Sequence, residues 1–117
     1  MGQVVATASP PWAITPEKVA EVVKRLSAEP ALSRLILFGS AATAGLDQAN
    51  DLDLLVVERD MGSRYHEMLR LRGLLKDLLM PIDLVVTTEE TYHQRSQIAG
   101  TLEHNAHLHG RVLHDAR

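Results

Sequence analysis

Cysteine is absent from all 117 residues. Disulfides, thiolate metal ligands and cysteine nucleophiles are excluded together, in keeping with a reducing compartment. Aromatic residues make up only 3% of the chain, so the core has to be built from Leu, Val, Ile and Ala. Positive charge is not in excess either: 12 Lys and Arg stand against 15 Asp and Glu, a net charge of -3. The electrostatic footprint of a non-specific nucleic-acid binder is missing, which argues against a free-standing polymerase. No apolar run approaches the ~18 residues of a membrane span, and residues 1–14 lack the charged start and apolar centre of a signal peptide. Cytoplasm is the expected compartment. What remains, 45% hydrophobic and 23% charged residues, is ordinary globular composition at the length of one domain.

Residues 1–14, with their Ala, Ser and Thr and the pair Pro10-Pro11, read as a flexible arm, and residues 15–117 as a single domain. The lone Trp12 is expected to pack that arm against the domain surface, a partner contact being the alternative. Thr15-Pro16-Glu17 is a helix start, followed by Val19, Val22, Val23 and Leu26 at helical spacing and stopped by Pro30. Ser33 to Phe38 is a continuous apolar run suited to a strand covered on both faces. A second strand runs to about Val57. Ser63 can cap the next helix, with Met68, Leu71, Leu75 and Leu78 inward and Arg64, Glu67, Arg70, Lys76 and Asp77 on the solvated side. Ile82 to Val86 is a third strand, and Thr87-Thr88-Glu89-Glu90 opens a helix whose spacing continues through Ile98, Leu102, Asn105 and Ala106 to a stop at Gly110. Arg111 to His114 is a short closing strand or an extended tail. Strands alternating with helices indicate an α/β layered domain.

One stretch carries chemistry. Leu35-Ile36-Leu37-Phe38-Gly39-Ser40 reads as a strand, a tight turn and a short helical segment; after ten residues Asp51-Leu52-Asp53-Leu54-Leu55-Val56-Val57 reads as a strand that opens with two carboxylates. Alternation along a strand sends Asp51 and Asp53 to the same side of the sheet. Two acids on one face repel each other unless a cation neutralises them, and a hard cation such as Mg²⁺ takes one or two carboxylates together with substrate phosphates. Alone, Gly39-Ser40 is most simply a turn, and the two acids could be a loop cap and a strand-edge residue. Their conjunction is what points to a site. Asp83, between Ile82 and Leu84 in a strand that reads as buried, is either salt-bridged or functional, because an unpaired carboxylate in such a place is costly.

This stretch resembles the nucleotidyltransferase superfamily that includes DNA polymerase beta, and within it the minimal nucleotidyltransferases, whose signature is Gly-Ser, ten residues, Asp-x-Asp. The resemblance extends over roughly residues 16 to 115. It implies a small mixed β-sheet packed with helices, and a third carboxylate on a later strand, which Asp83 supplies. Asp51, Asp53 and Asp83 would be catalytic and would hold the metal, two Mg²⁺ ions or Mn²⁺ in their place, with Asp83 also a candidate general base. Gly39 and Ser40 would bind the nucleotide, through close backbone approach and the Ser40 hydroxyl. The implied reaction moves a nucleoside monophosphate, AMP from ATP, to a hydroxyl. Family members are often paired with a HEPN ribonuclease toxin and act as the antitoxin that adenylylates a tyrosine of it. Members commonly carry an arginine three residues after the signature Ser; here that position is Thr43, followed by Ala44, and Asn50 stands where a serine is usual. Arg59 or Arg64 could reach over to substitute for the missing cation, though nothing in the spacing demands it.

A chain of this length leaves little for an acceptor-binding domain, so a homo- or hetero-oligomer is expected. Two functional classes stay open: a transferase acting on a HEPN partner, or a binding module that neutralises the partner by contact with weak or no catalysis. A small-molecule transferase of the aminoglycoside-modifying kind is disfavoured by the lack of an extra helical domain. The late histidines, His93, His104, His107, His109 and His114, could be imagined as a zinc set, but without cysteine they read as a polar helix face near the C-terminus.

Overall fold

The computed structural model describes residues 10–117; residues 1–9, most of the expected arm, lie outside the described residues. Thr15 has an extended backbone and its hydroxyl accepts from the Lys18 N–H at 3.2 Å, which starts helix α1 (Pro16–Ser27). Pro16 sits where the first-turn N–H has no helical partner, so its missing donor costs nothing. Val22 and Leu26 are completely buried, and Val19 and Val23 pack beside them, as the four-residue stripe requires.

The strands are β1 (Leu32–Phe38), β2 (Leu52–Glu58), β3 (Ile82–Thr88) and β4 (Arg111–Asp115), forming one sheet in the order β3-β2-β1-β4. The closing segment is thus a strand. β1 is antiparallel to both β2 and β4, whereas β2 and β3 are parallel. A parallel pair needs a long crossover, and α3 (Arg64–Leu75) provides it. A register shift between Leu32 and Arg34 takes Ser33 out of step, so that Leu32, Leu35 and Leu37 all reach one core.

Both faces of the sheet are covered, which is why the strands read as unbroken apolar runs. On one face Leu35, Leu37, Leu52, Leu54, Val56, Leu84 and Val86 meet α1 and α3 through Val22, Leu26, Leu71 and Leu75. On the other, Ile36, Leu55 and Val57 meet Tyr92 and Ala106, which belong to α4 (Glu89–Arg95) and α5 (Leu102–His109). Ser33 and Arg34 hold α4 down: the Ser33 hydroxyl donates to Glu89 Oε2 at 2.5 Å, the Arg34 guanidinium pairs with both Glu89 oxygens, and it lies 4.3 Å over the Tyr92 ring.

The spacing predicts one helix from Glu89 to Gly110; two are found. Gly100 has φ +91°, and Thr101 then caps a new helix by accepting from the His104 N–H at 3.1 Å. Ile98 lies in the break and is exposed, as is Asn105. The buried Glu103 carboxylate accepts from Arg95 Nε at 3.0 Å and ties the two helices together. Gly110 leads straight into β4 because a side chain there would run into the Ala106 carbonyl and Ile36. Helix α3 begins at the Ser63 cap as expected, but it ends before Leu78, and Glu67 turns inward rather than to solvent. There it accepts from Arg70 and faces Glu58, the fully buried last residue of β2. No helix is long and apolar enough to cross a membrane among the described residues.

Candidate active site

The register of the sheet gathers the three acids. Phe38, the last residue of β1, is opposite Asp53 in the antiparallel pair, and Asp53 is opposite Asp83 in the parallel pair. Leu52, Leu54 and Leu84 point into the core under α1 and α3. Alternation therefore sends Asp51, Asp53 and Asp83 to the opposite face. Helices α4 and α5 cover that face at Ile36, Leu55 and Val57 and stop short of the strand starts. Asp51 and Asp53 are half-buried and Asp83 is exposed.

The exposure of Asp83 corrects the expectation of a buried, costly carboxylate: it stands at the second residue of β3, where the strand enters from solvent. A structural salt bridge is not its role, since none of the ion pairs among the described residues involves Asp51, Asp53 or Asp83. Burial, and after it the charges of Asp51 and Asp83, push the Asp53 carboxyl above its ordinary value. The three groups lie in one another's field, and among the described residues no ion pair offsets them.

Gly39 closes the site from the β1 side. Its backbone has φ +71° and ψ -157°, a combination that side-chain-bearing residues avoid, and a Cβ built there would overlap the Asp53 carboxylate. Glycine is required twice over, by conformation and by space. Ser40 follows, exposed, at the start of the four-residue helix α2 (Ser40–Thr43). Thr43, which stands in place of the arginine of the signature, is exposed and its hydroxyl donates to the Gly39 carbonyl at 3.3 Å. Neither suggested substitute reaches the acids. The Arg59 guanidinium is spent on the carbonyls of Pro30, Leu32 and Ala116, at the far end of β2, and Arg64 opens α3 at that same end.

As a donor set, three carboxylates on one face with raised charge repulsion fit a hard divalent cation. Among the described residues no three His, Cys, Asp or Glu side chains are already drawn around a single point. The histidines do not form a metal set either: His104 Nδ1 lies 2.7 Å from the Ser96 carbonyl and His107 stands edge-on to Tyr92.

Sequence motifs give no sign of a second feature, which none of the three acids lines. A cavity of about 360 Å³ is walled by Pro10, Trp12, Leu46, Asp47, Asn50 and Pro81, among others. The expectation that Trp12 packs against the surface is overturned, since the residue is 62% exposed. The Lys18 ammonium donates to the Pro11, Ala13 and Leu79 carbonyls at 2.7, 2.8 and 2.6 Å and ties the backbone of the segment to the domain without the indole. Among the described residues 10–14, then, the chain is tied down.

The family model described as Polymerase beta, Nucleotidyltransferase matches residues 18–115. Among curated proteins none matches the chain. Several solved structures share the fold. A protein of Sulfolobus solfataricus, provisionally described as a nucleotidyltransferase, superposes with a TM-score of 0.57 at 18% identity, covering 86% of this chain and 79% of its own. A toxin–antitoxin structure named MntA-HpeT gives 0.56 at 21% identity, with 89% and 75% covered. A toxin–antitoxin structure with AMP-PNP gives 0.51 at 21% identity, with 89% and 76% covered.

Proposed function

The chain belongs to the polymerase beta nucleotidyltransferase family, and from that premise we propose that it is a minimal nucleotidyltransferase that moves AMP from ATP onto a hydroxyl of a protein partner, a HEPN-type toxin for which it is the antitoxin. The observation that carries this reading is the register: Asp53 faces Asp83 across β2 and β3, Asp51 shares their face, and Gly39 lies against Asp53. Toxin–antitoxin pairs among the similar structures, one of them with AMP-PNP, support the choice of partner and nucleotide.

In the transfer, a bond forms between the acceptor oxygen and the α-phosphorus, the bond from that phosphorus to the bridging oxygen breaks, and pyrophosphate leaves. Asp83, exposed at the edge of the site, takes the acceptor proton. Gly39 leaves room for phosphate oxygens, and the Ser40 hydroxyl donates to them. Two Mg²⁺ or Mn²⁺ ions held by Asp51, Asp53 and Asp83 would supply neutralisation of the phosphate charge and activation of the hydroxyl.

A second reading, neutralisation by contact alone with a weak or inactive site, is favoured by one observation: Thr43 puts no cation beside the Gly39 turn. Labelled ATP and Mg²⁺, added to the protein with its HEPN-type partner, separate the two. Wild type is expected to label the partner and Asp51→Ala to leave it unlabelled. Equal labelling overturns the catalytic assignment; full neutralisation by both Asp51→Ala and Asp83→Ala at equal expression establishes contact alone.

A further inference from the structure

We propose that the exposed flank of α3, with the cavity between α3 and the start of β3, docks an acidic amphipathic helix of the protein partner; the inference rests on the partner half of the reading above and names the surface that meets it. Helix α3 is apolar on two sides. Met68, Leu71 and Leu75 face the core, but Tyr65 and Leu69 leave 62% and 47% of their surface in solvent. With the exposed Arg72 and Lys76 they stand at i, i+4, i+7 and i+11, which is one face of a helix. A helix that packed on its inner side alone would carry polar residues at all four positions.

That face runs into a cavity of about 340 Å³. Arg72, Gly73 and Lys76 line it from α3 and its C-terminal cap, and Leu78, Met80 and Ile82 from the connection and the first residue of β3. Gly73 is a second, independent sign of an occupant. Glycine inside a helix is destabilising relative to alanine, yet a Cβ at Gly73 would meet nothing within 4 Å, so no neighbour among the described residues requires its absence. What the missing side chain allows is close approach from outside, of the kind that brings two helix axes to about 8 Å.

Charge selects the occupant. Among the described residues neither Arg72 nor Lys76 makes an ion pair, whereas on the flank toward α1 the Arg25 guanidinium holds Asp77 at 2.6 Å and the Leu74 carbonyl at 2.8 Å. Two unmatched cations beside apolar side chains call for carboxylates set next to apolar side chains, the pattern of an acidic amphipathic helix. In a chain of net charge -3 they are too few to make a phosphate track for nucleic acid. A second copy of the chain is a poorer match, because a two-fold contact sets like surface against like and neither the face nor the cavity wall carries a carboxylate. The cavity lies on the α3 side of the sheet, where Ile82 packs, and the three acids lie on the other, so docking here does not compete with the nucleotide.

Binding of the HEPN-type partner, followed by calorimetry, tests the surface. Wild type is expected to bind, more weakly as salt is raised. Arg72→Glu combined with Lys76→Glu should weaken binding about a hundredfold and flatten its salt dependence. Gly73→Leu should also weaken it while the melting temperature stays at or above that of wild type, since an exposed helix glycine is exchanged for a better helix former. ATP binding with Mg²⁺ should be the same in all three proteins. If the charge-reversed and Gly73→Leu proteins bind the partner as wild type does, the docking surface is wrong and the partner reading stands. If wild type does not bind the HEPN-type partner, both fall. A wild-type dimer in ultracentrifugation that Gly73→Leu turns into a monomer would assign the face to a second copy, and binding of single-stranded RNA that the charge reversal abolishes, with partner binding intact, would assign it to nucleic acid; either result overturns the proposal.

Discussion

Replacing Glu58 with Gln is expected to change how the stability of the protein depends on pH. Glu58 ends β2 with 1% of its surface exposed, and its Oε2 has no hydrogen-bond partner among the described residues. Glu67 and Arg70 of α3 face it, with Glu29 behind them. Burial, and then the shared contact with Glu67, push its carboxyl up to about 8 from 4.5. Arg70 holds Glu67 well below the usual carboxylate range. Glu58 therefore keeps a proton that the unfolded chain gives up, and a native state that binds more protons loses stability as pH rises. One proton corresponds to about 1.4 kcal/mol per pH unit, so about 2–3 kcal/mol is lost between about pH 5 and pH 7. Glu67 has the opposite sign, but its window lies below the unfolded carboxylate value and does not overlap. Glutamine keeps the shape and the donor and cannot ionise. Urea unfolding of both proteins across this range should give a falling curve for wild type and a flatter one for Glu58→Gln, with the variant the more stable by pH 7. Parallel curves would mean that Glu58 is ionised in the folded state, and the retained-proton reasoning would be refuted.

At the site, Gly39→Ala is expected to cost about 1–3 kcal/mol of stability from its backbone conformation and, because its Cβ displaces the Asp53 carboxylate, to abolish transfer while the fold persists. Thermal melting beside a transfer assay checks this, and an active Gly39→Ala protein would show that Asp53 is not where the phosphates go. Thr43→Arg places a guanidinium beside the Gly39 turn; a charge-assisted hydrogen bond of about 1.5 kcal/mol or more to phosphate should tighten ATP binding about tenfold by calorimetry. No gain would place residue 43 outside reach of the phosphates.

Much of this could be read from sequence because local rules and burial agreed. Thr15, Ser63 and Thr88 are helix caps as their chemistry demands. The strands are apolar on both faces because helices cover both, and the ten-residue interval from Ser40 to Asp51 brings the acids to the turn. Spacing alone does not resolve which neighbour each strand takes, so the pairing of Asp53 with Asp83 is a property of the folded sheet that no local pattern carries. Nor could it find the break at Gly100, where helical periodicity persists across residues that the helix does not include. The exposure of Asp83 is not legible because an apolar run does not show where along it solvent begins. The exposure of Trp12 is not legible either, because the Lys18 contacts that anchor its segment go to backbone carbonyls that no side-chain pattern records.

The most direct test of the three-acid site is a Mn²⁺ titration followed by electron paramagnetic resonance in the presence of ATP. The account predicts that wild type binds the ion with its nucleotide, that Asp53→Asn binds it far more weakly, and that the variant with Asn at residues 51, 53 and 83 does not bind it. Binding that is equal in all three proteins would contradict it.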